Sequence, residues 1–109
     1  MKLLEVDVQR DVDQTTAVLR GEVDLSTSVQ LQQTFDALAA EGAGRVVLDL
    51  RGLTFLDCSG LRRILALKEA IGDRLVLIRG DRSVQVVFDL TGTGALFETV
   101  DAPPLTLAA

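Results

Sequence analysis

The sequence predicts an α/β fold: a single mixed β-sheet of four to five strands, with an N-terminal antiparallel hairpin and a parallel core, packed with about three to four α-helices. Three observations lead there. Apolar and polar residues alternate over residues 4–9 and again over 17–24, which describes two strands with one wet face each. Two near-continuous apolar runs, residues 46–50 and 75–78, have the composition of buried parallel strands. Between those runs, Leu61, Ile64, Leu65 and Ile71 form one helical stripe with Arg62, Arg63 and Glu69 off it.

Taken in order, Leu4, Val6 and Val8 alternate with Glu5, Asp7 and Gln9 and make the first strand. The polar stretch 10–14 turns the chain, and Ala17, Leu19, Gly21 and Val23 alternate with Arg20, Glu22 and Asp24 in a second strand returning antiparallel. Thr27 and Gln30 have the form of a capping box, and Leu31, Phe35, Leu38 and Ala39 continue a first helix to about Glu41. Gly42 and Gly44 stop it. Val46, Val47, Leu48 and Leu50 then read as a central strand covered on both faces. The second helix starts at Asp57, and Leu75–Ile78 returns as a parallel strand beside the third through a right-handed crossover. Residues 83–91 fit either a strand (Val84, Val86, Phe88) or a helix (Val84, Val87, Phe88, Thr91). A β-α-β alternation favours the helix, with Asp81 or Ser83 to cap its start and Gly92 its end. Residues 97–100 form a short last strand, and Pro103 and Pro104 open a tail expected to fray.

At 109 residues the chain is expected to be one domain, with a core over about 3–100 and a tail over 101–109. Eleven basic against 16 acidic residues leave a net charge of −5, which repels nucleic acid and anionic membrane. With no Trp, no Tyr and four Phe, stacking platforms for single-stranded nucleic acid are also missing. Glu5 interrupts the N-terminus before a signal-peptide core forms, and no run of about 18 apolar residues occurs, so no membrane insertion is expected. One Cys makes no intramolecular disulfide, which suits a reducing cytoplasm. The protein is read as cytoplasmic.

Enzyme signatures fail on inventory, because the chain has no His and a single Cys. Neither a Ser-His-Asp or Cys-His arrangement nor a Cys/His zinc site can be assembled from it. No metal and no cofactor is expected. Gly92-Thr93-Gly94 lacks the Gly-Lys-Ser/Thr ending of a phosphate loop and reads as a helix C-cap. Asp24, Asp49 and Asp57 fall at or near strand ends and could gather at one rim as a Mg²⁺ site or acid/base pair. Solvated loop carboxylates and helix caps are the better reading of all three. Asp49, which interrupts an apolar strand, is expected at a strand end accepting backbone hydrogen bonds.

The informative stretch is Leu53-Thr54-Phe55-Leu56-Asp57-Cys58-Ser59-Gly60-Leu61, read as the join between the third strand and the second helix. Sites in α/β sheets favour this edge. With Asp57 as N-cap, Cys58 and Ser59 occupy a first turn whose free N–H groups and dipole favour a negative group, whether a phosphate or a thiolate. Cys58 itself reads equally as a small buried hydrophobe or an exposed thiol.

These pieces carry a resemblance. Gly21-Glu22-Val23-Asp24, Val47-Leu48-Asp49-Leu50, Phe55 to Leu61 and Phe88-Asp89-Leu90-Thr91-Gly92, in this element order, resemble the STAS domain of bacterial anti-anti-sigma factors, over about residues 3 to 100. The resemblance implies an anti-sigma factor antagonist. Such a domain binds an anti-sigma factor, a serine kinase of ATPase fold, and frees a sigma factor for transcription. It also implies that the residue after the motif Asp is the phosphoacceptor whose modification breaks the complex. Here that residue is Cys58, which forms no phosphoserine, and Ser59 is the remaining hydroxyl. One step along a helix turns a side chain by about 100°, so Ser59 is expected to point elsewhere.

The implied docking face holds Asp24, Asp57, Cys58, Ser59, Gly60 and Arg62, on a monomer or weak dimer. Two other readings compete with the antagonist. One is a STAS scaffold or accessory subunit of a stress-signalling assembly or of a transport system, and the other is a redox sensor built on Cys58.

Overall fold

The computed structural model describes residues 3–42 and 44–104. Strand β1 (Leu4–Arg10) pairs antiparallel with β2 (Gln14–Val23), joined by a tight turn in which Asp11 N–H donates to Gln14 O at 2.8 Å. Helix α1 (Ser28–Ala40), β3 (Arg45–Leu56), α2 (Cys58–Ile71), β4 (Leu75–Ile78), α3 (Arg82–Thr91) and β5 (Glu98–Val100) follow. Single 3-10 turns at Gly72–Arg74 and Gly94–Leu96 lead into β4 and β5. The mixed sheet has five strands in the order β1-β2-β3-β4-β5, antiparallel between β1 and β2 and parallel elsewhere. Three consecutive crossovers in one direction put the three helices against one face of the sheet.

The core lies between that face and the helices. Leu19, Leu48, Leu50 and Leu53 from the sheet meet Leu31, Ile64 and Phe88 from the helices. Phe97 is buried and stands edge-on to Phe88 with ring centroids 5.6 Å apart, a favoured aromatic geometry that anchors the approach to β5. Gly21 has φ of 104°, and a Cβ there would lie 2.1 Å from Leu3 O. Only glycine lets β2 pass that close to the start of the hairpin.

Strand β3 is central but departs from the sequence reading in two ways. It continues through Leu56, taking in residues 53–56 that were read as a connection. Its pairing with β2 slips twice, from Val18↔Asp49 to Arg20↔Gly52 and from Gly21↔Leu53 to Glu22↔Phe55. Each slip is an extra residue on β3, so the inward side chains run Val46, Leu48, Leu50, then Leu53, then Leu56. The spacing of three hid a strand whose period is two. Nor does β3 lie between two layers of helices. On its outer face Val47 joins Val76 and Ile78, with Val100 packed beside them.

Residues 101–104 leave β5, where Arg79 pairs with Asp101 at 2.9 Å, and cross the sheet to β2, where Gln14 Nε2 donates to Pro104 O at 3.3 Å. The first part of the expected fraying tail is therefore held down, and residues 105–109 lie outside the described residues.

The capping box at Thr27 and Gln30 is also corrected. Thr27 makes no side-chain cap; its hydroxyl accepts from Asp24 N–H and donates to Glu22 O, each at 3.0 Å. Gln30 reaches Leu4 O at 2.9 Å instead of back to residue 27. Tertiary partners outcompeted the local ones. Helix α3 forms as read, capped by Asp81 at its start and by Gly92 in the left-handed conformation at its end.

Candidate functional site

Strands β2, β3 and β4 run parallel, so the turns that follow them share one rim of the sheet. All three turns carry the same tripeptide pattern: Asp24-Leu25-Ser26, Asp57-Cys58-Ser59 and Asp81-Arg82-Ser83. In each, one carboxylate oxygen accepts from the Ser N–H, from the Ser hydroxyl and from the next N–H. A carboxylate is an acceptor with lone pairs to spare, and here it satisfies the orphan donors of a helix start. Asp57 and Asp81 are true N-caps of α2 and α3, whereas Asp24 closes a turn one step before α1. Ser83 and the backbone N–H groups of Ser83 and Val84 hold the Asp81 carboxyl below its ordinary pKa, against a smaller opposing effect of burial.

The first two turns are tied together, since Asp57 N–H donates to Val23 O at 3.1 Å. Gly60, on the first turn of α2, is buried, and a Cβ there would lie 2.5 Å from both Leu56 Cδ1 and Val23 Cγ1. Its bare Cα lets the helix start sit directly on the ends of β2 and β3. Sequence reading placed Asp24, Asp57, Cys58, Ser59, Gly60 and Arg62 on one surface. The rim brings Asp24, Asp57, Cys58 and Ser59 together on these two linked turns, with Cys58 and Arg62 exposed, Asp24, Asp57 and Ser59 half-buried and Gly60 beneath them.

Two expectations about this rim are corrected. The N–H groups of Ser59 and Gly60, expected to be free for a negative group, are already taken by Asp57 at 2.9 and 3.2 Å. A further charge at residue 58 would face the Asp57 carboxylate with those donors occupied. Asp49 is the second correction, because it lies mid-strand on the outer face, well before the end of β3. It is nearly fully buried and paired with Arg51 through Nε at 3.0 Å and the terminal nitrogen at 2.8 Å, besides accepting from Arg51 N–H. An acidic trio at one rim therefore does not exist. Among the described residues no three His, Cys, Asp or Glu side chains converge to hold a metal ion.

The sequence reading missed the apolar part of the rim. Leu25 is 77% exposed and Phe55 is 42% exposed, one in the first turn and the other near the end of β3. The repeated Asp-x-Ser pattern was a legible signal for the turns, but nothing in the pattern marked these two side chains as outward.

A family model described as Mlab, STAS domain matches residues 6–98, most of the chain, from within β1 to the start of β5. The chain belongs to the STAS domain family. The likeness in fold extends to solved structures. An anti-sigma factor antagonist from Mycobacterium paratuberculosis shares 22% identity with this STAS domain at a TM-score of 0.85, covering 92% of this chain and 87% of that one. The anti-sigma factor antagonist SpoIIAA in its unphosphorylated form gives 19% identity and a TM-score of 0.71, covering 90% and 88%. The Bacillus cell fate determinant SpoIIAA in the phosphorylated form gives 18% and 0.65, covering 90% and 91%. Among the described residues of the STAS domain no helix is long and apolar enough to cross a membrane.

Proposed function

We propose that this STAS domain is an anti-sigma factor antagonist that docks through the β2–α1 and β3–α2 rim onto an anti-sigma factor of the serine-kinase ATPase class, so releasing a sigma factor for transcription. The observation that carries the reading is the β3–α2 turn. A capped helix start there holds Cys58 exposed at the place the family resemblance gives to the phosphoacceptor, next to exposed Arg62. A rigid turn with an exposed centre and apolar neighbours such as Leu25 and Phe55 has the anatomy of a protein contact.

In this reading Asp24, Asp57, Cys58, Ser59 and Arg62 meet the partner and Gly60 fixes the height of the helix start. The domain acts by binding, without cofactor or intrinsic catalysis, as a cytoplasmic monomer or weak dimer. Phosphate control at residue 58 is lost, since Cys58 has no hydroxyl and Ser59 gives its own to Asp57. Capture of partners from native cytosol, with mass spectrometry of the eluate, tests the proposal. An ATPase-type anti-sigma factor retained by the native chain and weakened by more than about 1 kcal/mol in Ser59→Asp supports it, through charge and desolvation at a contact.

A second reading follows from the same lack of a hydroxyl. That reading is a STAS subunit of a transport or stress-signalling assembly that docks without a phosphate switch at residue 58. Recovery of a transporter ATPase or a stress assembly, with no anti-sigma factor, favours that reading over the first.

A further inference from the structure

The hydrogen bonds at the two ends of the hairpin fix which way every backbone group of β1 points. Glu22 N–H donates to Leu3 O at 3.0 Å and Asp11 N–H to Gln14 O at 2.8 Å, so odd-numbered residues of β1 face β2. Even-numbered residues then turn their N–H and C=O groups to the outer edge of the sheet. Side chains at the start of α1 and just past its end reach that edge. Gln30 Nε2 takes Leu4 O at 2.9 Å, and Arg10 Nε pairs with Glu41 at 3.1 Å. Between these two clamps, Val6 and Val8 belong to an edge strand with no further strand on its outer side among the described residues, and their side chains are only partly buried.

The side chains flanking this gap decide what fits it. Glu5 and Asp7 stand on the outer face, so an added strand would set its outward side chains against two carboxylates. A second copy of the chain is disfavoured. Antiparallel pairing centred on Asp7 sets it against its own counterpart, centring on Val6 sets Glu5 against Asp7, and centring on Val8 sets Glu5 against Asp11. Opposite charges directly across from one another favour pairing, and like charges oppose it. Inward, Val6 and Val8 offer an apolar ledge beside α1, where Thr34 and Ala37 on the flank between the clamps are small.

We propose that the free edge of β1 at Val6 and Val8 accepts an extended segment of a partner protein in which β-branched apolar residues alternate with lysine or arginine. Backbone bonds to the outward N–H and C=O groups supply affinity, and the alternating side chains supply selection. This surface lies apart from the helix-start rim and does not depend on the antagonist reading.

The test uses end-blocked heptapeptides alternating lysine with valine or glutamate with valine, added to the full chain, with amide hydrogen exchange read by NMR. The lysine peptide at saturation is expected to slow exchange at Val6 and Val8 at least about tenfold, the glutamate peptide not at all. A Glu5→Lys, Asp7→Lys double variant is expected to reverse that preference. No slowing with the lysine peptide, equal slowing with both peptides, or an unreversed preference in the variant overturns the proposal. The contrast between peptides on the native chain decides the matter if the variant does not fold.

Discussion

The Ser59 hydroxyl donates to the same Asp57 oxygen that accepts from the Ser59 and Gly60 N–H groups. One carboxylate oxygen thus closes the start of α2 and turns aside the single hydroxyl next to Cys58. Replacing Asp57 with Ala removes the cap and frees Ser59 at once. Stability is expected to fall by about 1 kcal/mol, measured by urea unfolding, with Asp57→Asn recovering most of it. A variant as stable as the native chain would mean that the cap is not what holds this turn.

Gly60 lets the first turn of α2 sit directly against side chains from the ends of β2 and β3. In Gly60→Ala the new methyl meets the side chains of Leu56 and Val23, so these or the helix start must shift. A loss of about 1–3 kcal/mol is expected, together with weaker partner binding because Cys58 and Arg62 ride on the displaced turn. Unchanged thermal unfolding and affinity would show that the rim tolerates the shift.

Asp49 and Arg51 make an acid-sensitive pair on the outer face. Burial alone pushes the Asp49 pKa up, but the hydrogen bonds from the Arg51 guanidinium and N–H, with the charges of Arg51 and Arg20, outweigh it and leave the value below the ordinary 3.8. A folded-state pKa below the unfolded one means that the unfolded chain binds more protons as the pH falls. The pair's contribution is therefore present above the unfolded value and lost as the pH falls through the folded one. Arg51→Ala is expected to raise the Asp49 pKa, seen by carboxyl NMR titration, and to reduce the gain in stability between strongly acid and neutral solution. An acid limb identical to that of the native chain contradicts this account.

The element order was legible because most elements obey their own period. β1, β2 and β4 keep a clean pattern, and α3 was correctly chosen over a strand because Asp81 and Gly92 bracket it. Where the reading failed, a tertiary contact had displaced a local rule. The extra residues in β3 break its alternation while keeping Leu53 and Leu56 inward, so a strand looked like a loop. Thr27 and Gln30 spell a capping box but spend their hydrogen bonds on Asp24, Glu22 and Leu4. Asp49 looked like a strand end because its partner, Arg51, is two residues on and on the same outer face, which no window of hydropathy records. At the rim, Asp57 as a cap was readable, since capping chemistry is local. Burial of Gly60 and exposure of Leu25 and Phe55 depend on how the turns pack, and that information is not local.

The most direct measurement on the rim as an antagonist's docking face is phosphate transfer. Native chain and Cys58→Ser are incubated with the captured anti-sigma kinase and ATP, and incorporation is followed by intact mass. A phosphate is expected on Cys58→Ser, which restores a hydroxyl at the exposed position, and none on the native chain, whose Ser59 hydroxyl is held by Asp57. Native chain phosphorylated on Ser59 as fast as Cys58→Ser on its new hydroxyl, or a Cys58→Ser chain that the kinase binds but never modifies, would contradict this expectation.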